Sequence, residues 1–177
     1  RQMCIRDRGS KKKNQIYISL GTVNNKNNEF YKNCIQAFKD LEVQIVMSVG
    51  NKTDIKMLGP IPINFVIKNS VNQIEVLQNS DVFITHCGMN SVNESLYYGV
   101  PMVLFPQHSE QKMVAHRVFE LEAGLKLKKN KVADIKKTTL DVMYNDKYKE
   151  NALQLSKSFH HSGGCLLYTS DAADDSL

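Results

Sequence analysis

The residues best suited to chemistry lie together in the stretch THCGMNSVNE, residues 85–94, directly behind the apolar run VFI. A strand that enters a glycine turn and opens a helix points several main-chain N–H groups outward with a partial positive charge. Such a helix start favours an anion. A diphosphate would accept these N–H groups and gain further hydrogen bonds from Ser91 and from the ring of His86.

The same stretch also has a purely structural interpretation. Ser91 and Glu94 fit the capping-box pattern S-x-x-E, in which the two side chains satisfy main-chain N–H groups at a helix start. Alternatively, Asn90 and Glu94 share one helix face, where a carboxylate accepts hydrogen bonds from sugar hydroxyls beyond a phosphate group. From these residues alone, a helix cap and an anion site are both open.

The elements that must position this stretch are short β-rich runs alternating with helical patterns, which is typical of an α/β fold. The predicted architecture is a Rossmann-like open parallel sheet of about six strands with helices on both faces. Strands are predicted over 15–20, 43–49, 64–67, 81–85, 102–105 and 125–127. Helices are predicted over 28–41, 90–98 and 110–123, and the last third of the chain is predicted to be helical.

The polar residues of the chain are concentrated in the loops that follow these strands. In open α/β sheets, ligands bind at the carboxyl ends of the strands. The loops at those ends are residues 21–23, 50–51, 68–73, 86–91 and 106–111. The sequence therefore predicts one site that is built from several loops at a single edge of the sheet.

Composition restricts the class of protein. A chain of 177 residues with 42% hydrophobic and 23% charged residues is typical of one soluble globular domain. The longest apolar run, 100–105, is far below the ~20 residues of a membrane span. No membrane span or signal peptide is visible, so a cytoplasmic protein is expected. The net charge of +5 comes from scattered lysines without interleaved aromatic residues, which argues against a nucleic-acid partner.

Residues 1–10 and 164–177 resemble translated sequencing-adapter sequence, so the expected natural domain is 11–163. The acidic cluster Asp171, Asp174 and Asp175 then has no role as a metal site.

Familiar nucleotide-binding and metal-binding motifs are not found. The chain has no GxGxxG and no GxxxxGK[ST] motif. Outside residues 164–177 it also has no D-x-D motif to hold Mg²⁺ on a diphosphate. Cys87 is expected to be a core thiol, and His116 and the pair His160-His161 are expected to be structural or exposed. A phosphate site would therefore use a helix end and side chains, with no metal.

The stretch FITHCGMNSVNESLYYGVPMVLFPQHSEQ, residues 83–111, resembles the signature of UDP-dependent glycosyltransferases of the GT-B fold, family 1, in the bacterial macrolide-glycosyltransferase-like branch. The resemblance extends upstream to VNQIEVL, residues 71–77, and to ISLGT, residues 18–22. It implies that the chain is the C-terminal, donor-binding half of such an enzyme. The chain departs from the family at Ser70, where an aromatic residue usually stacks on the base, and at Asn72, usually proline.

The resemblance also implies a role for each matching residue. The diphosphate would be bound by Thr22, His86, Gly88, Asn90 and Ser91. The nucleoside would be bound by Val71, Gln73 and Glu94, and hydroxyls of the transferred sugar by Glu110 and Gln111. His108, just before this pair, is expected to be a loop histidine. The donor would be a UDP-sugar, with UDP-glucose expected, and no cofactor is implied.

The implied reaction is inverting, metal-independent sugar transfer to an acceptor hydroxyl of a small molecule. In this family the general base is a histidine of the N-terminal, acceptor-binding domain, so the fragment is expected to be inactive without that partner. Two alternatives stay open. One is a stand-alone donor-binding subunit of a split glycosyltransferase, and the other is a nucleotide-sugar 2-epimerase or nucleotide-binding module of the same architecture.

Overall fold

The computed structural model describes residues 13–21 and 27–161 and contains one sheet of six parallel strands. The strands are β1 (Gln15–Ser19), β2 (Gln44–Ser48), β3 (Phe65–Lys68), β4 (Val82–Thr85), β5 (Met102–Leu104) and β6 (Gly124–Lys126). The helices are α1 (Asn28–Phe38), α2 (Gln73–Leu77), α3 (Met89–Tyr97), α4 (Ser109–Glu120), α5 (Val132–Tyr144) and α6 (Asp146–His161), with a 3-10 turn at Ile55–Leu58.

The strand order is β3-β2-β1-β4-β5-β6, so the direction of winding reverses between β1 and β4. The loops that leave these two neighbouring strands must separate to opposite sides, which opens a crevice at their carboxyl ends. The predicted Rossmann-like parallel sheet is confirmed. The reversal falls at the loop after β4, where the sequence places its chemistry-bearing stretch.

Helices cover both faces of the sheet. Along β1, Ile16 and Ile18 pack on the face covered by α1 and α5, whereas Tyr17 packs on the face covered by α2, α3, α4 and α6. Because both faces are covered, the central strands are nearly continuous apolar runs, and Val82 through Thr85 are all buried. Burial fixes the register of these strands, and hence the position at which each one releases its loop.

The element boundaries agree with the sequence predictions to within one residue for every strand. Helix α1 differs, because it ends at Phe38 and not at residue 41. The side-chain amide of Asn64 donates hydrogen bonds to the carbonyl groups of Phe38 at 3.0 Å and Leu41 at 3.2 Å, which satisfies the helix end early. Helix α4 ends at Glu120, three residues before its predicted end, and α2 was not predicted.

Within the described ranges, no helix combines the length and the apolar content that crossing a membrane requires.

Candidate functional site

A cleft of about 680 Å³ lies at the carboxyl ends of the strands, beside the reversal between β1 and β4. It is bounded by the loops that follow strands β1 to β5. Its lining includes Tyr17, Ser19, Gly21, Asn51, Ser70, Val71, Gln73, His86, Gly88, Asn90, Ser91, His108 and Gln111. Thus one cleft collects most of the predicted site residues, from the segments that follow three strands, β3, β4 and β5.

The imidazole of His86 is held between two glycines. A Cβ built on Gly21 would lie 2.6 Å from His86 Cε1, and one built on Gly88 would lie 2.6 Å from His86 Nε2. Both distances are shorter than any real carbon contact, so either side chain would displace the ring. Gly21 also has φ +78°, a conformation that glycine adopts at no steric cost. The ring therefore occupies its position only because both neighbours lack a side chain.

His86 is neutral at pH 7. Burial lowers its pKa below the ordinary value of 6.5, the backbone of Ser19 raises the pKa in part, and nearby His108 lowers it again. Its buried Nδ1 forms no hydrogen bond with any described residue. A bound anion would reverse this balance, because negative charge next to the ring favours its protonated form.

Helix α3 begins at Met89, with Gly88 as its N-cap residue. The capping-box interpretation of Ser91 and Glu94 is therefore wrong, since both residues lie inside the helix. The chain leaves β4 and turns at Cys87, whose φ of +69° lets the helix begin two residues before Ser91. Among the described residues, no side chain caps this end, so the first-turn N–H groups remain available to the cleft.

Gln73 connects the cleft to the face of α3. Its Nε2 donates to Glu94 Oε2 at 2.6 Å and to Ser91 Oγ at 3.2 Å. Its Oε1 accepts a hydrogen bond from the hydroxyl of Tyr17 at 3.0 Å. The predicted nucleoside residues Gln73 and Glu94 are thus in direct contact, next to Ser91 of the predicted phosphate set. Gln73 lines the cleft, whereas Glu94 lies behind it and does not.

The predicted sugar-binding pair is divided by the structure. Gln111 lines the cleft, but its Oε1 already accepts the main-chain N–H of Gln107 at 2.8 Å and of His108 at 3.3 Å. The N–H groups of the Gln111 side-chain amide are then the part of the side chain that is left to bind a ligand. Glu110 is exposed on the first turn of α4 and does not line the cleft. Thr22 lies outside the described residues.

The residues that departed from the expected signature have local roles. Ser70 is exposed and lines the cleft beside the half-buried Val71. Asn72 is the N-cap of α2, and its side chain accepts the N–H of Glu75 at 3.4 Å. An asparagine can thus begin this helix where a proline is usual.

The remaining candidates are structural. Cys87 is fully buried, and burial raises the pKa of its thiol to about 12, so it is a core thiol as predicted. His116 is exposed beside Glu120, and the ring of His160 packs on Tyr97. In the part of the chain that the structure describes, no three His, Cys, Asp or Glu residues are grouped as metal ligands.

Sequence reasoning missed Tyr17. It stands between Ile16 and Ile18 in a buried strand, and its hydroxyl reaches the cleft. A tyrosine in such a strand needs a hydrogen-bond partner for its hydroxyl, which is the one signal that the sequence contains.

The chain is also similar in sequence to known proteins. A family model described as UDP-glucoronosyl and UDP-glucosyl transferase matches residues 7–164. The chain is 44% identical over 146 residues to the uncharacterized UDP-glucosyltransferase YdhE of Bacillus subtilis (strain 168), covering 81% of this chain and 37% of the relative. It is 50% identical over 117 residues to the NDP-glycosyltransferase YjiC of the same organism, covering 66% of this chain and 30% of the relative.

A solved structure extends the comparison to the fold. The calicheamicin glycosyltransferase CalG4 matches with a TM-score of 0.82 and 27% identity, covering 92% of this chain and 42% of that chain. In each case the chain spans less than half of the length of the protein that it matches.

Proposed function

The chain belongs to the UDP-glucoronosyl and UDP-glucosyl transferase family, and from this premise we propose that it is the donor-binding half of a glycosyltransferase. The whole enzyme would move a sugar from a UDP-sugar, with UDP-glucose as the expected donor, to an acceptor hydroxyl of a small molecule. The observation that carries the proposal is the neutral His86 ring, held between Gly21 and Gly88 beside the uncapped start of α3.

The diphosphate would bind at this end of the cleft. The first-turn N–H groups of α3, including those of Asn90 and Ser91, donate to phosphate oxygens, and His86 adds a ring donor. As the bond to the sugar breaks, negative charge grows on the diphosphate. Fixed donors that already point at that position stabilise the leaving group without reorganisation. No metal is required for this role.

The nucleoside would bind at the part of the cleft that Val71 and Gln73 line. Glu94 is an acceptor, so it suits the ribose hydroxyls, and Gln73 holds its carboxylate in place. The backbone of Val71 would meet the base. The amide of Gln111 would donate to the transferred sugar, with Glu110 reaching it only after a change of side-chain conformation, because it is exposed outside the cleft.

In the proposed reaction, the acceptor oxygen attacks the anomeric carbon as the bond to the diphosphate breaks, which inverts the configuration. The proton of the acceptor hydroxyl goes to a general base that belongs to the acceptor-binding half. The described residues thus supply donor orientation and leaving-group stabilisation.

The proposal is tested by measuring UDP binding to the chain by isothermal titration calorimetry, together with the variant Gly88→Ala. Gly88 has φ −64°, so alanine fits the backbone, but its methyl group displaces the His86 ring. We expect the wild-type chain to bind UDP and Gly88→Ala to bind it ~10-fold or more weakly, the effect of losing a hydrogen bond to a charged group.

Gly59→Ala is the matched control. Gly59 has φ +89°, and no described atom lies within 4 Å of a Cβ built there. This variant should lower the free energy of unfolding by about 1–3 kcal/mol through backbone strain and leave the UDP affinity unchanged. A wild-type chain that does not bind UDP, or a Gly88→Ala variant that binds it as well as wild type, would contradict the proposed site.

A further inference from the structure

Tyr17 is a buried aromatic residue whose polar end reaches the cleft. Its ring stacks on Phe83 with centroids 4.6 Å apart and an interplanar angle of 11°, and only 1% of the residue is exposed. We propose that Tyr17 is a positioning residue for the pair Gln73 and Glu94, and that it thereby sets a preference for ribonucleoside over 2′-deoxyribonucleoside diphosphates. This inference rests on the proposed function, because it assumes that the cleft binds a nucleoside diphosphate.

The side-chain amide of Gln73 is fixed in one orientation. Its oxygen accepts from the Tyr17 hydroxyl, and its nitrogen donates to Glu94 at 2.6 Å. If the amide were flipped, its oxygen would face the carboxylate of Glu94, and two acceptors would repel each other. Tyr17 and Glu94 therefore hold the amide from its two ends in a single orientation.

The Tyr17 hydroxyl stays protonated and remains a hydrogen-bond donor. Burial raises its pKa, the charge of Glu94 raises it further, and a hydrogen bond from the Ser19 side chain lowers it, with a net value of about 12. The phenol is therefore protonated at any pH at which the protein would be studied. The stacked ring also fixes where the hydroxyl lies, so the hydrogen bond to Gln73 is made in advance of any ligand.

The orientation of the Gln73 amide affects how Glu94 recognises ribose. A carboxylate only accepts hydrogen bonds, so Glu94 recognises ribose through hydroxyl groups that donate. Ribose offers both a 2′ and a 3′ hydroxyl, whereas 2′-deoxyribose offers one. Without the Tyr17 hydroxyl, the oxygen of Gln73 loses its partner, and the amide is free to turn away from Glu94. The 2′ hydroxyl then contributes less to affinity.

The test compares UDP with 2′-deoxy-UDP in calorimetric titrations of the wild-type chain and of Tyr17→Phe. The wild-type chain should bind UDP more tightly than 2′-deoxy-UDP. Tyr17→Phe keeps the stacked ring, so its melting temperature should stay close to wild type. It should bind UDP ~3–10-fold more weakly, the net effect of one hydrogen bond, and change its affinity for 2′-deoxy-UDP by less than ~2-fold.

Tyr31→Phe is the matched control. Tyr31 is also fully buried, but on the opposite face of the sheet, and its hydroxyl has no hydrogen-bond partner among the described residues. Removing that hydroxyl should leave both affinities unchanged.

A second variant acts at the other end of the hydrogen bond. Gln73→Met keeps the length of the side chain and leaves β1 intact, so it tests the proposal even if Tyr17→Phe does not fold. It should lower the ratio of the affinity for UDP to the affinity for 2′-deoxy-UDP. The double variant with Tyr17→Phe should show the same ratio as Gln73→Met alone.

The outcomes separate the two proposals. Failure of the wild-type chain to bind UDP overturns the proposed function. If UDP binds, the role of Tyr17 is overturned by a wild-type chain that binds 2′-deoxy-UDP as tightly as UDP. It is also overturned if Tyr17→Phe loses the same affinity for both nucleotides, or if Gln73→Met leaves the ratio of the two affinities unchanged.

Discussion

For a single residue, His86 shows how the surroundings of a side chain determine its protonation state. In the free chain, burial favours the neutral imidazole, and two glycines fix the ring beside the start of α3. A histidine that is held neutral but lies next to helix N–H groups will gain a proton when an anion arrives, because the anion adds the charge that burial removed. In the proposed site, we therefore expect ligand binding and protonation of His86 to be coupled.

This coupling predicts that the affinity for the donor depends on pH. Because the ligand raises the lowered pKa of His86, the affinity for UDP-glucose should increase as the pH falls from 8 to 5.5, by at most about tenfold per pH unit. UDP-glucose is the suitable probe, since the terminal phosphate of UDP itself titrates near pH 6. Calorimetric titrations across this range measure the slope.

Three histidine variants assign the slope to a residue. His86→Asn should largely remove it. His108→Asn measures the contribution of the second histidine of the cleft. His116→Asn removes an exposed histidine of α4 and should keep the full slope. A full slope in His86→Asn would show that the titrating group is not His86.

At the scale of the element, α3 is fixed at one end and open at the other. The hydroxyl of Ser156 on α6 donates to the carbonyl of Tyr97 at 2.5 Å, and the ammonium of Lys149 donates to the carbonyl of Gly99 at 2.8 Å. These bonds satisfy the carboxyl end of α3. Its amino end, in contrast, is left with uncapped N–H groups at the cleft, among the described residues.

An acidic residue at the open end should therefore have opposite effects on stability and on binding. We expect Asn90→Asp to raise the free energy of unfolding by about 0.3–1 kcal/mol through the helix dipole. The same carboxylate repels a diphosphate, so the affinity for UDP should fall. Thermal unfolding and calorimetry measure the two quantities.

Asn93→Asp is the control for this prediction. It makes the same change one turn along α3, outside the lining of the cleft, and should weaken UDP binding less. Equal losses of affinity in the two variants would mean that overall charge, and not the helix end, accounts for the effect.

At the scale of the whole molecule, the chain has the fold and family that its signature predicted, but it spans less than half the length of its relatives. In the proposed function, the described cleft orients the donor, and the general base belongs to the acceptor-binding half. A donor-binding half of this kind should bind its ligand without turning it over. The natural domain limits of 11–163 stay a prediction.

We therefore expect no transfer activity from the chain alone. Incubation with UDP-glucose and a panel of hydroxylated small molecules should release no UDP above background, while calorimetry on the same sample still shows UDP binding. YjiC from Bacillus subtilis is a suitable full-length comparison in the same assay. Release of UDP that depends on an acceptor would contradict the assignment of the general base to another domain.

Local patterns in the sequence predicted the strands and the edge of the sheet at which the cleft lies. The period of apolar residues and the turn residues that separate them are local properties, so they predicted each strand to within one residue and placed the functional loops at one edge of the sheet. The glycine turn before α3 is equally local. It was enough to predict an anion site there, although the capping box remained an alternative.

Which side chains meet depends on the tertiary structure. The backbone of Cys87 sets where α3 begins, and this excluded the capping box. Tyr17 and Gln73 are 56 residues apart in the chain and meet because the crossover from β3 to β4, which contains α2, passes over the face of the sheet on which Tyr17 packs. The carbonyl of Gln111 is occupied by the loop before α4, which no spacing indicated. Hydrogen-bond partners depend on strand order and on the path of each loop, and neither is written in a local pattern.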